Sequence, residues 1–170
     1  MYHRFGAFQT NLLIEGFYIR LTDVFVLGKP YDRGDGILVK TRSNGPGAKV
    51  MGLTLEGKVA YLSILQIQAG LTLQRSRYDE PHKWHDDAPA EKKIFRTPDT
   101  YGYFTATCTP IKPLSIALSG TYTGRMLVQR MDITAENAEL GKMPERKAEA
   151  IRTPRFFDLG VKLAYDFKLY

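Results

Sequence analysis

The chain has 170 residues, a formal net charge of +6, one cysteine and no run of about 18 apolar residues. These properties exclude an internal disulfide framework and a transmembrane helix. The bases are interleaved with acids, as in RYDEPHKWHDD and GKMPERKAEAIR, without an RNA-binding aromatic motif or a helix-turn-helix pattern, so we expect no nucleic-acid partner.

Alternation of apolar and polar residues predicts six β-strands, because successive side chains of a strand point to opposite faces. The clearest case is LQIQAGLTLQRS, residues 65–76, where every second residue from Leu65 to Leu73 is apolar, the intervening ones are uncharged and the first charge is Arg75. The first strand alternates least cleanly, so no face is assigned to it. In chain order the predicted strands cover residues 8–26, 49–60, 65–76, 101–109, 114–124 and 156–169.

The connections between these strands alternate between short and long. A few residues around YLSI join the second and third strands, and PIKP sets a turn between the fourth and fifth. The long connections hold most of the charge and the glycine and proline signals, and ITAENAELGKMPERKAEA has the propensity for a short helix. The predicted long loops are residues 27–48, 77–100 and 125–155.

Strands of about ten residues with one apolar face, alternating loop lengths and aromatic residues near strand ends are typical of an outer-membrane β-barrel. The predicted fold is therefore all-β, an antiparallel up-and-down meander of about six transmembrane strands. A soluble up-and-down barrel or sandwich with the apolar face inside is the alternative, because alternation does not show which face is outward. The aromatic residues near strand ends are Tyr61 and Phe167 on the short-turn side, and Tyr78, Tyr101, Tyr103, Tyr122, Phe156 and Phe157 on the long-loop side.

The alternation assigns two sets of side chains to opposite faces of one sheet. The predicted lipid-facing set is Leu65, Ile67, Leu71, Leu73, Ile116, Leu118, Leu159, Val161 and Leu163. The predicted lumen-facing set is Thr54, Glu56, Lys58, Gln66, Gln68, Thr72 and Gln74, with Ser119, Thr121, Lys162 and Asp166 expected on the same side. Outer-membrane lipid is the partner expected for the first set.

Four stretches resemble the barrel domain of TonB-dependent outer-membrane receptors of the Bacteroidetes type. They are NLLIEGFYIRLTDVFVL, GAKVMGLTLEGKVAYLSILQIQAGLTLQRSRY, FRTPDTYGYFTATCTPIKPLSIALSGTYTGRMLV and TPRFFDLGVKLAYDFKL. The second stretch has Gly52, Leu55, Glu56 and Gly57 in a spacing that begins a descending strand in that family. Their order and spacing together are more specific than any one of them.

The resemblance implies transport of a scarce solute, such as a siderophore, cobalamin or a glycan, across the cell outer membrane. It also implies a plug domain and TonB as partners in a full-length receptor, neither of which this chain contains. The N-terminus lacks a clean apolar region and a cleavage site, so it is not expected to be a signal peptide. We therefore expect a C-terminal part of a larger barrel, a fragment whose first and sixth strands have unpaired outer edges.

The loop containing DEPHKWHDD concentrates the residues most suited to solute contact. His82 and His85 could share a metal if the segment were helical, but a solvated external loop is the simpler interpretation. Trp84 is either a stacking platform for a solute or a packing and interfacial residue. Asp86 and Asp87 complete this candidate substrate-contacting set.

Two further polar residues and one cysteine need an interpretation. Glu56 and Lys58 could contact a plug or a solute, or could pair with each other. Cys108, beside Phe104 and Ala106, has the pattern of a small apolar residue on the lipid-facing side. The sequence has neither a Gly-x-Ser-x-Gly motif nor a phosphate-cradling loop, so we expect no enzyme, no cofactor and no metal site.

Overall fold

The computed structural model describes residues 2–85, 88–133 and 146–167. Within these ranges the chain forms β-strands and no helix, so no described helix has the length and apolar character to cross a bilayer. Strands are numbered in chain order. The main sheet contains β1 (Tyr2–Phe5), β2 (Phe8–Leu21), β5 (Ala48–Tyr61), β6 (Leu65–His82), β7 (Glu91–Lys93), β8 (Thr100–Ile111), β9 (Leu114–Thr123) and β12 (Phe156–Tyr165).

The main sheet is an antiparallel meander curled into a half-barrel, which confirms the predicted fold class. Its strand order is β1-β2-β5-β6-β8-β9-β12, and β7 adds to the far end of β6. The six long strands therefore pair in the order in which the chain makes them. This order is the expected one, because short turns and meander connections favour neighbouring pairs.

Short and long connections lie at opposite ends of the sheet. Residues 62–64 join β5 to β6, and residues 112–113 join β8 to β9, at the end we call the short-turn end. Three longer connections cross at the other end, the long-loop end: residues 22–47, 83–99 and 124–155. The sheet therefore has short turns at one end and long connections at the other.

The first predicted strand is two strands in the structure. β2 ends at Leu21, and Asp23 has a φ of 55°, a left-handed conformation that an extended strand does not tolerate. The chain then leaves the main sheet and forms a separate hairpin of β3 (Phe25–Asp32) with β4 (Leu38–Asn44). At the tip of this hairpin, the Asp32 side chain accepts hydrogen bonds from the backbone N–H groups of Gly34 and Gly36.

The other two long connections also contain strands. β6 continues to His82, six residues beyond the predicted strand end, and β7 pairs with this extension. A second separate hairpin joins β10 (Leu127–Ile133) to β11 (Arg146–Arg152), where the sequence favoured a helix. Most of the helix-favouring tract, residues 134–145, lies outside the described residues.

The expectation that the first strand is an unpaired edge was wrong in part. β1 pairs with β2 from Phe5 opposite Phe8 to Tyr2 opposite Asn11, leaving the remainder of that edge of β2 without a partner among the described residues. β12 pairs with β9 alone, and β2 does not pair with β12. The described sheet is therefore open.

Candidate functional site

Register divides the main sheet into two chemically different faces, because paired residues of antiparallel strands project to the same side. Leu55 lies between Ile14 and Leu71, and Leu118 lies between Ala106 and Val161. All nine residues of the predicted lipid-facing set lie on this side, which we call the apolar face. They are Leu65, Ile67, Leu71, Leu73, Ile116, Leu118, Leu159, Val161 and Leu163.

Side chains of the apolar face are exposed. Leu71 is 43% exposed and Val161 is 76% exposed, although aliphatic side chains of this size are normally buried. The chain exposes 13020 Å², whereas a folded monomer of 19.3 kDa exposes about 8,500 Å². The buried apolar residues among those described are Ala48, Ala88, Leu127 and Ala148. A large apolar surface is therefore exposed and is not buried in a core.

The opposite side, which we call the polar face, carries the predicted lumen-facing residues. Thr72 is 6% exposed there, and its Oγ1 lies 3.0 Å from Oγ1 of Thr54 on the adjacent strand. Side chains on this side are less exposed, as expected if the sheet curls toward it. The register places Thr54, Glu56, Lys58, Gln66, Gln68, Thr72 and Gln74 on the polar face, with Ser119, Thr121 and Lys162.

Amide groups of the polar face donate hydrogen bonds to a hydroxyl on a neighbouring strand and to a carbonyl of the connection before β8. Gln68 Nε2 donates to the Tyr103 hydroxyl at 3.1 Å, and Gln74 Nε2 donates to the Pro98 carbonyl at 2.9 Å. Gln68, Thr72 and Gln74 thus have polar partners, whereas the buried Ser76 hydroxyl has no hydrogen-bond partner among the described residues. Such groups satisfy one another and water in a confined wet space without the cost of an unpaired charge.

Glu56 and Lys58 lie on the polar face, but the described residues contain no ion pair between them. Glu56 faces Leu13 and Gly70, and Lys58 faces Asn11 and Gln68. The face is also not uniformly polar, because β2 contributes Leu13 to it. The two charged side chains therefore stand as separate groups on the polar face, which leaves both able to contact a solute or a further domain.

The predicted solute-contacting loop lies at the long-loop end, where its residues pack against neighbouring rings. The Trp84 and Phe95 rings meet edge to face at 6.1 Å between centroids, and His82 lies 5.5 Å from the Tyr78 ring. The Trp84 Nε1–H group is buried without a hydrogen-bond partner among the described residues. Packing within the loop thus accounts for the position of Trp84.

This loop is not arranged as a metal site in its described part. His82 ends a strand and His85 lies in a bend, so the two are not on one face of a helix. No group of three or more His, Cys, Asp or Glu side chains that could hold a metal occurs among the described residues. Asp86 and Asp87, also assigned to this loop, lie outside the described residues.

A row of bases at the long-loop end of the apolar face was missed by the sequence analysis. Arg20 of β2 pairs with Lys49 of β5, and Lys49 pairs with Arg77 of β6. Arg75 lies one step nearer the short-turn end, opposite Met51. We call these four bases, together with Lys92, the cationic rim. The sequence signal shared by the four bases is a basic residue next to the end of the apolar positions of a strand.

Four of the five bases of the cationic rim, all except Arg20, line a cavity of about 240 Å³. Its charged lining is Lys49, Arg75, Arg77, Lys92 and one acid, Asp79. Lys49 Nζ lies 2.7 Å from Asp79 Oδ1, and this contact, with the charges of Arg20 and Lys92, lowers the pKa of Asp79. An adjoining cavity of about 550 Å³ shares three of these bases and adds Lys93, Arg152 and two acids, Glu91 and Asp99.

Comparison of the chain with protein-family models, with curated proteins and with solved structures gives no match. The features of the chain that bear on function are the two faces of the sheet, its long-loop end and the cationic rim.

Proposed function

We propose that the chain forms part of the wall of an outer-membrane β-barrel and serves the uptake of a scarce solute as part of a TonB-dependent receptor. The observation that carries this proposal is the exposed apolar face opposite a hydrogen-bonded polar face on one antiparallel meander. In this arrangement the apolar face meets lipid and the polar face lines the lumen. The protein would then reside in the cell outer membrane.

The dimensions of the apolar face support a membrane location. Apolar residues of β6 recur from Leu65 to Leu73, a span of nine residues. A strand tilted in a bilayer needs about 9–11 residues to cross the hydrocarbon region. The bases of the cationic rim begin directly beyond this span, at Arg75. The apolar band therefore has the height of a bilayer and a polar boundary at one end.

The open edges of the sheet support a place in a larger barrel. Backbone N–H and C=O groups cannot remain unpaired in hydrocarbon, so a membrane-spanning sheet has to close on itself. Because β12 and most of β2 have a free outer edge among the described residues, closure requires strands from elsewhere. The rest of a receptor would supply them, together with the plug domain and the contact to TonB.

Solute capture is proposed for the loop at the long-loop end, which faces the exterior in this class of protein. Trp84, His82 and His85 are there, and Asp86 and Asp87 belong to the same sequence segment. From the resemblance of the sequence we propose a solute of the siderophore, cobalamin or glycan class. The soluble-domain alternative has less support, because the apolar face is exposed and the described residues contain few buried apolar side chains.

The proposal is tested by the state of the purified chain with and without detergent. We expect association in plain buffer, since a large exposed apolar surface binds to itself, and a monomeric strand-rich species in detergent micelles. Circular dichroism and sedimentation measure both properties. A chain that is monomeric and folded in plain buffer would overturn the proposal.

Two matched triple variants test whether the apolar face causes the association in buffer. Replacing Leu55, Leu71 and Leu118 by Gln removes part of the apolar face, which should reduce association in buffer and weaken entry into micelles. Replacing Thr54, Gln68 and Ser119 by Asn changes three positions of the polar face on the same strands. This second variant should associate in buffer and enter micelles as the unaltered chain does, because its apolar face is intact.

A further inference from the structure

The cationic rim has more charge than its own acids neutralise. In the adjoining cavity two acids, Glu91 and Asp99, are matched in number by Lys93 and Arg152. In and beside the 240 Å³ cavity, five bases, Arg20, Lys49, Arg75, Arg77 and Lys92, face one carboxylate, Asp79, so four positive charges remain. Lys49 is engaged with that carboxylate. No acid of the described residues forms an ion pair with the other four bases. A cluster of like charges held together by strand pairing repels itself unless an anion lies among them.

The position of the cationic rim indicates which kind of anion could bind to it. Arg20, Lys49 and Arg77 share the apolar face with Tyr18, Met51 and Leu73, and follow them toward the long-loop end. An anion bound here would sit at the boundary of the apolar band and not in the lumen, because the polar face lies on the other side of the sheet. This location excludes, as the ligand of the cationic rim, a solute that passes through the barrel lumen.

The geometry of the bases favours a phosphate group. Arg75 and Arg77 are exposed and lie two residues apart on one strand, so both point to the same side. Arginine presents paired N–H groups that match phosphate oxygens, and Lys49 and Lys92 add point charges across the same cavity. The 240 Å³ cavity is large enough for one headgroup phosphate.

We propose that the cationic rim binds the phosphate groups of lipid headgroups in the external leaflet, which fixes the height of the barrel in the membrane. This inference rests on the proposed membrane location of the apolar face. The lipid supplies two contacts at once: its acyl chains cover the leucines of the apolar face and its phosphate enters the cavity beside Arg75 and Arg77.

The test uses the full chain and two kinds of vesicle, one of phosphatidylcholine and one of phosphatidylcholine with a fraction of phosphatidic acid. We expect insertion into both, with tighter binding to the phosphatidic acid vesicles that weakens as salt is added. Arg75→Gln with Arg77→Gln should lower that preference by about fivefold per base, roughly 25-fold in all. Lys92→Gln, on an exposed side chain, should lower it about fivefold.

The matched control removes the same charge from the other face. Lys58→Gln with Lys162→Gln changes two bases of the polar face and should leave the preference for phosphatidic acid intact. Circular dichroism in neutral micelles establishes that each variant is folded. A preference lost in this control but retained in the arginine variant would overturn the assignment to the cationic rim.

The remaining outcomes separate this inference from the proposed function. Equal insertion into both kinds of vesicle would overturn lipid phosphate binding and leave the membrane location standing. Failure to insert into either would overturn the membrane location itself. Inorganic phosphate that binds in neutral micelles as tightly as phosphatidic acid would identify a free anion, not a lipid, as the ligand.

Discussion

The ring of Tyr103 occupies the space that a side chain at Gly70 would need on the neighbouring strand. A β-carbon at Gly70 would lie 2.5 Å from Cε1 of Tyr103, and the hydroxyl of the same ring accepts a hydrogen bond from Gln68 Nε2. The glycine thus lets the aromatic ring lie flat on the polar face and reach Gln68. A glycine in a strand interior is otherwise unfavourable, so this contact is a reason for its presence.

Gly70→Ala should therefore destabilise the sheet. The new methyl group must push the Tyr103 ring aside and break its hydrogen bond to Gln68, at a cost of about 1 kcal/mol. Gly57→Ala is the matched control, since a β-carbon there meets nothing within 4 Å. Denaturant unfolding in micelles measures both. Equal effects of the two substitutions would contradict a steric role for Gly70.

Charge placed on the two faces should have unequal effects in a bilayer. Leu71→Arg puts a guanidinium in the apolar face and should cost about 2–4 kcal/mol of folding free energy in lipid. Gln68→Arg puts the same group on the polar face, where water and neighbouring amides solvate it, and should be far milder. Unfolding in lipid vesicles measures the difference. The opposite ranking would mean that the polar face meets the lipid.

Cys108 gives a chemical probe of the same assignment. The register places it on the apolar face between Leu65 and Ile116. In micelles an apolar maleimide should label it readily, whereas a charged maleimide of similar size should react slowly, because detergent covers this face. In denaturant both reagents should react at similar rates. Mass spectrometry measures the labelled fraction, and fast reaction with the charged reagent in micelles would argue against detergent cover.

The contact between Lys49 and Asp79 should make stability depend on pH. Lys49 lowers the pKa of Asp79 in the folded chain. A lowered folded-state pKa stabilises at pH values above the unfolded pKa, about 3.9, and this contribution is lost as pH falls through the folded pKa. Asp79→Asn should therefore lower the unfolding midpoint at pH 7 but not at the acid end of the titration. A constant difference across the whole range would exclude this linkage.

The strands and faces were predictable from sequence because period-two alternation depends on local chemistry alone. Residues 65–76 alternate so strictly that one register error would move Leu71 to the side of Gln68, which fixes the faces of β6. Pairing order followed from the short turns. The four residues of β1 were not predictable, since YHRF has no alternation and gains its place only by pairing with β2.

The parts that sequence could not provide depend on contacts between distant residues. β11 has the composition of a helix, and its pairing with β10 is a tertiary contact that overrides intrinsic propensity. Arg20, Lys49 and Arg77 belong to three different strands, and only the register makes them neighbours. The role of Trp84 was open for a similar reason, because its ring packs on Phe95, eleven positions away.

The length of β6 determines how far the loop proposed for solute capture lies from the proposed membrane boundary. β6 has 18 residues, and nine of them follow Leu73, the last apolar-face leucine of the strand. At about 3.3 Å per residue this extension is roughly 30 Å long, and pairing with β5 and β7 stiffens it. In the proposed orientation the Trp84 loop is carried well into the aqueous exterior. Hydrophobic mismatch from a thicker or thinner bilayer would therefore tilt the lower half of β6 while leaving the packing of Trp84 on Phe95 unchanged.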